Sequence, residues 1–514
     1  MTKPGLSPEA FAERRLKRRH AAERRFKIYG QVAIGIAVGF LAILLLSIAS
    51  KSASAFSRHM LVLKIDQPDL SVRSDLAVTD LNLSVRDELV KAFPEIADNR
   101  TARIDLFGLT TRLAVLPLTK SAAEKPDMFQ TPVDARLAVS DDLDLYLKNE
   151  FRAHRTIEVG RAGRLSDTRS GAFRVTDAGP DGFETFQSFV DDPTQPRTDI
   201  LISLQGAWFE LNAISGAALE LEHLAGALPP LGELGGAQID ALILPSAGDN
   251  RKVSNRQIAY TMLLKQRGMI EKRFNRTLFT NSDSTYPELA GTAAAVVGSL
   301  FTMLITALFA IPVGIFAAVY LEEFAKKSII TNIIEVNINN LAAVPSIIFG
   351  LLGAAVFLNT FGLPRSVPLV GGLVLGLLVL PTIIIASRAA LQSVPPSVRD
   401  AALGLGASHS QAVFHHVLPL AAPGILTGAI IAMARALGET APLLLIGMVA
   451  FISEVPRAPN DEATVLPVLI YKWFSGAERA WEPMTAALII ILLTILVAMN
   501  LVAVLLRRRF ERRL

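Results

Sequence analysis

ARALGETAPLLLIG, residues 434–447, sets an arginine and a glutamate four positions apart inside a stretch that is otherwise apolar. A charged side chain at mid-bilayer costs at least about 2.5–3.5 kcal/mol on insertion scales. If the stretch spans a membrane, something near Arg435 and Glu439 must offset that cost.

The surrounding chain supports a membrane reading. Its 514 residues have a mean hydropathy of +0.41 and are 19% charged, against roughly 25% in soluble domains. The net charge of +4 sits at the ends. Residues 1–27 hold nine Lys/Arg and three acids, and residues 507–514 hold five Arg and one Glu. Each basic cluster abuts an apolar run, the pattern of ends held at the cytoplasmic face. KRRHAAERRFK (residues 17–27) adjoins Ile28 directly, which favours a membrane flank over a nucleic-acid arm. With no cysteine, disulfides, Cys-ligated zinc and thiol catalysis are excluded.

Uncharged runs cover residues 28–50, 289–321, 336–364, 366–387 and 483–506, and residues 420–453 form another broken only by Arg435 and Glu439. At about 20 residues per span, they predict six helices. The first run has 23 residues, longer than the roughly 7–15 of a signal-peptide core, so it reads as a retained helix. Six crossings return the C-terminus to the side of the N-terminus and place Lys326, Lys327, Arg388 and Arg399 there too, in agreement with the charge bias. The division that follows is a basic cytoplasmic N-terminus (1–27), a first helix (28–50), an extracytoplasmic soluble domain (51–287), a five-helix core (288–506) with a cytoplasmic loop at 393–420, and a basic tail (507–514).

The expected fold is therefore an all-α polytopic membrane protein with an inserted α+β domain. In the insertion, residues 60–65 and 198–204 read as strands. Residues 78–93 and 254–274 read as helices, the second with Ser254 as N-cap. GALPPLGELGG (226–236) reads as a loop or boundary. The insertion is net acidic, 28 Lys/Arg against 32 Asp/Glu, which does not favour collection of anions. His59, His154 and His223 lack metal-type spacing and read as surface or hydrogen-bonded residues. There is no Gly-x-Ser-x-Gly elbow and no Gly-Lys dipeptide, so no phosphate loop of the Walker type. No catalytic residue, metal or cofactor is expected, and any ATP is bound by another chain.

SVPPSVRDAALGLGASHSQAVFHHVLPLAAPG (393–424) joins the fourth and fifth expected helices. Pro395-Pro396 stops the preceding helix. Ser397 is the expected cap of the next, with Asp400 three residues on. Ala401, Ala402 and Gly406 are small and allow another surface to approach closely. Two readings stand: a short helix seated in a partner's groove, or an ordinary loop on the membrane surface.

Asp400-Ala401-Ala402, then Gly406, then Leu418-Pro419 resembles the EAA loop of ABC-importer permeases, with Asp400 for the usual Glu and His416 where that pattern has Ile. NLAAVPSIIFG (340–350), ARALGETAP (434–442) and LPVLIY (466–471), in this order, are similar to the A-type permease subunits (PstA) of phosphate-specific ABC importers. The resemblance covers the five helices from about residue 289 onward and does not extend to the insertion. It implies a permease of the inner membrane, multi-pass, with both termini cytoplasmic and residues 51–287 periplasmic. It implies that Asp400, Ala401, Ala402, Gly406, Leu418 and Pro419 form the loop that docks on the ATPase. The implied partners are a homologous second permease, an ATP-binding subunit dimer and an extracytoplasmic phosphate-binding protein, with inorganic phosphate as cargo.

Arg435 and Glu439 share a face if the helix is continuous. They then either pair structurally or line the pathway. Arg before Glu is the weaker order for an i,i+4 pair. A guanidinium matches phosphate oxygens in a planar, bidentate fashion, and Glu439 would neutralise Arg435 in the empty site. The pathway reading adds Thr440, whose hydroxyl its own helix is expected to satisfy, and Ser346. Gly438, Pro442 and Pro345 are hinge candidates. Glu335 is expected at the cytoplasmic boundary. Sulfate and molybdate permeases share Arg-Ala-Leu-Gly-Glu but continue Phe-Gly, whereas Thr440-Ala441-Pro442 follows here. A membrane-anchored phosphate sensor and an anchored ectoenzyme remain as rivals from other classes.

Overall fold

A computed structural model describes residues 8–65, 78–111, 113–124, 132–148, 155–168, 172–177, 183, 186–187, 190, 198–215, 218–245 and 252–510. His154, residues 1–7 of the basic N-terminus and residues 511–514 of the basic tail lie outside them.

The chain opens with helix α1 (Pro8–Ser52) and passes into strand β1 (Ser57–Ile65). Helices α2 (Val78–Ala92), α3 (Arg100–Phe107) and α4 (Leu116–Glu124), strand β2 (Val133–Ala138) and helix α5 (Asp141–Leu147) follow. Next come β3 (Arg155–Thr168), β4 (Ala172–Asp177), β5 (Thr198–Leu204), β6 (Ala207–Ser215), β7 (Ala218–Ala225) and β8 (Gly232–Pro245). Helix α6 (Asn255–Gln266), strand β9 (Ile270–Phe274) and the short α7 (Thr277–Thr280) lead back to the membrane core.

The insertion has two bodies. In the first, β1 is the centre of a three-stranded sheet of order β2-β1-β9. Its Leu61, Leu63 and Ile65 pack with Leu81, Val85 and Leu89 of α2 and Ile258 and Leu264 of α6. The antiparallel pairing of Ser57 with Phe274 and Leu61 with Ile270 joins the strand leaving α1 to the strand that returns. The insertion thus leaves and rejoins the membrane core at one place. The second body is a closed barrel of order β3-β4-β7-β6-β5-β8, filled by Leu165, Val175, Ile202, Phe209, Leu221 and Ile239. Closure leaves no sheet edge. The β5–β6 hairpin turns on Gln205 (φ 47°) and Gly206 (φ 84°), two positive-φ residues as a two-residue hairpin of matching twist requires.

Two expectations in this region are corrected. The helix expected over 254–274 stops at Gln266. Ser254 does cap it, in a capping box with Gln257, but Gly268 (φ 71°) turns the chain and Ile270–Phe274 extends to pair with β1. The loop expected over 226–236 ends at Leu231, because Gly232 already belongs to β8.

The membrane core comprises α8 (Ala293–Val319), continued by a wide turn at Tyr320–Phe324, α9 (Ile329–Ala342) and α10 (Ser346–Gly353), the last continued to Thr360. Then follow α11 (Pro368–Gln392), α12 (Pro396–Gly404), α13 (His409–Ala412), α14 (Leu418–Gly438), α15 (Ala441–Leu445), α16 (Leu466–Phe474) and α17 (Trp481–Phe510). Among the described residues, five helices are long and apolar enough to cross a membrane, and a sixth crossing results if α9 and α10 count as one bent span. The single helix expected over 336–364 is corrected. The two segments meet at 103°, where Pro345 lacks the N–H to continue the ladder. α1 and α17 meet at Lys51 and Glu482, 2.5 Å apart.

A cluster of charges lies between the insertion and the core. Arg58 of β1 donates to the Glu288 carbonyl and, at 3.3 Å, to Thr277. Asp144 of α5 accepts from the His59 backbone N–H at 2.9 Å, meets the His59 ring at 2.9 Å and pairs with Lys148 at 2.5 Å. Burial pushes Asp144 up, and its bonds from His59 and Lys148 outweigh that and hold it below the usual carboxylate range. Asp141, one turn earlier, is pushed up to about 9 by burial and by the neighbouring Glu288, to which its side chain hydrogen-bonds.

Candidate functional site

α14 and α11 pack through small residues. A Cβ added at Gly424 would meet the Ala390 side chain, and one at Gly428 would meet Ala386. Four residues forward on α14 correspond to four back on α11, so the helices run antiparallel. Continuing seven residues from Gly428 brings Arg435 level with residue 379, near the middle of the 25-residue α11. Ala436 and Leu437 share a core with Leu375, Leu378 and Val379. At 1.5 Å per residue, Arg435 lies roughly 16 Å from one end of α11 and roughly 20 Å from the other, near the middle of a span-length helix, where a charge in lipid is most costly.

The helix ends there. α14 stops at Gly438, and Glu439 takes an extended conformation (φ −77°, ψ 125°) as its C-cap. A short helix, α15, restarts at Ala441 with Pro442 in its first turn, where a missing N–H costs nothing. The expectation of one helix across 420–453 is corrected: Arg435 is in the last turn and Glu439 beyond it. Arg435 Nε lies 3.5 Å from Glu439 Oε1, with 48% of the Arg435 side chain exposed and 19% of Glu439. Open space adjoins Gly438. Thr440 caps α15 by position, but its hydroxyl makes no capping bond, contrary to the expectation of a partner in its own helix.

The second break faces the same region. Pro345 (φ −56°, ψ 137°) precedes α10, and Ser346 is its first residue. A Cβ at Gly350 would meet Pro442, so α10 rests on α15. Phe349 and Val344 join the core that holds Leu437 and Leu443. Two interrupted helices thus meet near mid-depth. Interrupted backbone at this depth is tolerated where it is covered by protein or lines a cavity. Glu335 belongs elsewhere: from the middle of α9 it pairs at 3.0 Å with Arg388 near the end of α11.

The loop 393–417 folds into two short helices. Pro395, not Ser397, caps α12, and Pro396 is its first residue. Proline pre-sets the helical φ here, so Ser397 lies one position inside. Ala402 is buried while Asp400, Ala401 and Gly406 are exposed. Gly406 takes φ 86°, and the Gly406 and Ala407 N–H groups close the helix on the Leu403 and Ala402 carbonyls. Leu405 is 91% exposed. Leu418 and Pro419 begin α14 without a break.

Sequence reasoning did not single out Glu322 and Glu323. They sit in the wide turn ending α8 and bind Arg388 and Arg399. Only the separation of the partners along the chain hid them, since both arginines were already placed on the same side.

Among proteins of known kind, residues 310–514 match the family described as binding-protein-dependent transport system inner membrane component. Residues 13–156 match a domain of unknown function (DUF3333). The chain is 30% identical over 223 residues to phosphate transport system permease protein PstA 1 of Mycobacterium tuberculosis, covering 43% of this chain and 72% of that one. It is 30% identical over 235 residues to the PstA protein of Xylella fastidiosa, covering 45% and 80%. It is 32% identical over 206 residues to that of Haemophilus influenzae, covering 40% and 71%. With interrupted helices, an exposed loop between α11 and α14 and these relatives, the chain belongs to the binding-protein-dependent family of ABC-transporter permeases, a multi-pass membrane subunit that does not itself catalyse ATP hydrolysis.

Proposed function

We propose that this chain is the A-type permease subunit of an importer for inorganic phosphate, and that the anion passes the break between α14 and α15. The observation that carries the reading is Arg435, half exposed at mid-depth beside open space and held by one long contact to Glu439. A guanidinium has five N–H donors, and a contact at 3.5 Å engages one of them. The rest can meet phosphate oxygens in a planar, bidentate manner. Glu439 keeps the empty site neutral and weakens the hold on the filled one. Thr440 and Ser346 supply hydroxyls from the two restarted helices. Gly438, Pro442 and Pro345 permit the breaks and act as hinges. Several relatives carry phosphate transport in their names, which supports this cargo over sulfate or molybdate.

In this reading the exposed face of α12, with Asp400, Ala401, Leu405 and Gly406, seats in one subunit of an ATP-binding dimer, and Leu418-Pro419 carries the motion into α14. A homologous permease covers the open face of the core. A soluble phosphate-binding protein delivers the anion from the side of residues 51–287, and both termini lie in the cytoplasm of a bacterial inner membrane. The test is uptake of labelled phosphate by cells that lack their own high-affinity system and express this chain with its partners. Uptake that survives excess sulfate and molybdate and disappears in Arg435→Ala is the expected result. Uptake displaced by either competitor moves the cargo to that oxyanion. Uptake unchanged in Arg435→Ala reduces the pair to a structural one.

A further inference from the structure

The wide turn at Tyr320–Phe324, YLEEF, ends α8. Its two glutamates engage different elements. Glu322 accepts from Arg388 at 3.4 Å and Gln392 at 2.9 Å, both at the end of α11. Glu323 instead grips α12: Arg399 Nε lies 3.1 Å from both carboxylate oxygens and Nη2 lies 2.5 Å from Oε1. One extra residue per turn lets consecutive side chains diverge in this way, and such turns concentrate at functional positions.

All three guanidinium nitrogens of Arg399 are engaged. Nη1 donates at 2.9 Å to the carbonyl of Val394, two residues past α11, and Nη2 at 3.0 Å to that of Leu391 in its last turn. Glu323 also holds the next segment, because its backbone carbonyl accepts from His409 Nε2 at 2.7 Å. The Phe324 ring meets the His409 ring edge-on at 5.1 Å. Two points of the coupling segment, one on α12 and one on α13, are thereby pinned to one residue whose side chain is 4% exposed. Leu405 and Asp400 are exposed to solvent. A push on the outer face of α12 therefore reaches α8 through Arg399 and Glu323, besides the covalent route into α14.

We infer that Glu323 is the joint that passes movement of the coupling segment to α8, so that α12 and the end of α8 travel as one body. The inference rests on the proposed coupling to an ATPase. Its first test does not depend on the cargo. The chain has no cysteine, so Lys327→Cys and Ser397→Cys, both exposed, take a pair of spin labels in the assembled complex. The label separation is expected to be the same with and without ATP, and to change with ATP once Glu323→Gln is added. A separation that changes with ATP while Glu323 is present overturns the inference, as does one that stays fixed in Glu323→Gln. In vesicles holding the whole transporter, Glu323→Gln is expected to raise the ATP consumed per phosphate moved by about tenfold or more, the scale of losing a charge-assisted pair. Glu322→Gln, which leaves α12 bound, is expected to stay within about twofold. Arg399→Lys retains the charge and covers the case in which Glu323→Gln does not assemble: an intermediate ratio supports the joint, and a wild-type ratio overturns it. A wild-type complex that moves no phosphate refutes the cargo and leaves the label test standing.

Discussion

Two of the molecule's arginine–glutamate pairs differ in almost every physical respect. Arg399 and Glu323 come from segments 76 residues apart, touch at 2.5–3.1 Å, and leave Glu323 4% exposed. Arg435 and Glu439 are near neighbours in sequence, touch at 3.5 Å, and leave the arginine 48% exposed. The first guanidinium also holds two backbone carbonyls, so its donors are committed to the protein. The second has one long contact, in the weaker order for a helical pair. A guanidinium with every nitrogen bonded to protein fixes one element on another, whereas one with a single long contact is available to a passing anion. The difference lies in what surrounds each arginine, not in the residue types.

The largest effect that can break this comparison is on transport. Arg435→Ala is expected to reduce phosphate uptake to background, while the assembled complex loses less than about 1 kcal/mol, as for an exposed pair. Uptake and thermal unfolding of the same preparation measure both. Arg399→Ala is expected to do the reverse in kind. It leaves the Glu323 carboxylate buried without its partner, at a cost of about 3 kcal/mol, visible as a lower unfolding midpoint. Equal losses of stability in the two variants would erase the distinction between the pairs.

A smaller effect tests the register that puts Arg435 at mid-depth. Gly428→Val is expected to cost about 1–3 kcal/mol through overpacking, because the added Cβ would lie 2.3 Å from the Ala386 side chain. Gly438→Ala, beside open space, is expected to change stability by only the modest glycine-to-alanine difference of about 1 kcal/mol or less. Thermal unfolding of the two variants ranks them, and a reversed order would move the register and with it the depth of Arg435.

The crossings were legible because a lipid-facing helix needs a long uncharged run, and residues 28–50, 366–387 and 483–506 are such runs. The break after Gly438 was not, because proline and glycine are tolerated inside membrane helices and Pro442 reads equally as a residue within a helix or as the start of one. The barrel escaped for another reason. β3 pairs with β8, Arg155 opposite Ile243, and its alternation is interrupted by irregularities at Glu158/Gly160 and Ala162/Arg164, so no local pattern announces closure. The Glu323–Arg399 joint is likewise a long-range contact, and its two residues read as ordinary flanking charges until the fold brings them together.

The smallest expected effect concerns a third group of charges, at the junction of the insertion and the core, where burial and a neighbouring carboxylate raise the pKa of a carboxyl group. Asp141 titrates at about 9 against 3.8 for its ordinary value, raised by burial and by Glu288. Arg58, the nearest cation, opposes this, and Glu478 adds to it. A folded-state value above the unfolded one means that the folded junction binds the proton more tightly. Its stabilising contribution is complete below about pH 4 and declines as pH rises to about 9, beyond which it is gone. His59, Lys148 and Asp144 face the same cluster and form their own bonded group, and the bonds from His59 and Lys148 hold Asp144 below the usual carboxylate range. Hydrogen exchange of the paired β1 and β9 amides, followed from pH 6 to 9 and corrected for intrinsic rates, is expected to show weakening protection in the wild type. In Asp141→Asn, whose amide can still donate to Glu288 but cannot ionise, the protection is expected to be level across that range. A slope that persists in the variant would assign the proton to another group. A slope absent from both would mean that Asp141 does not exchange its proton within this range.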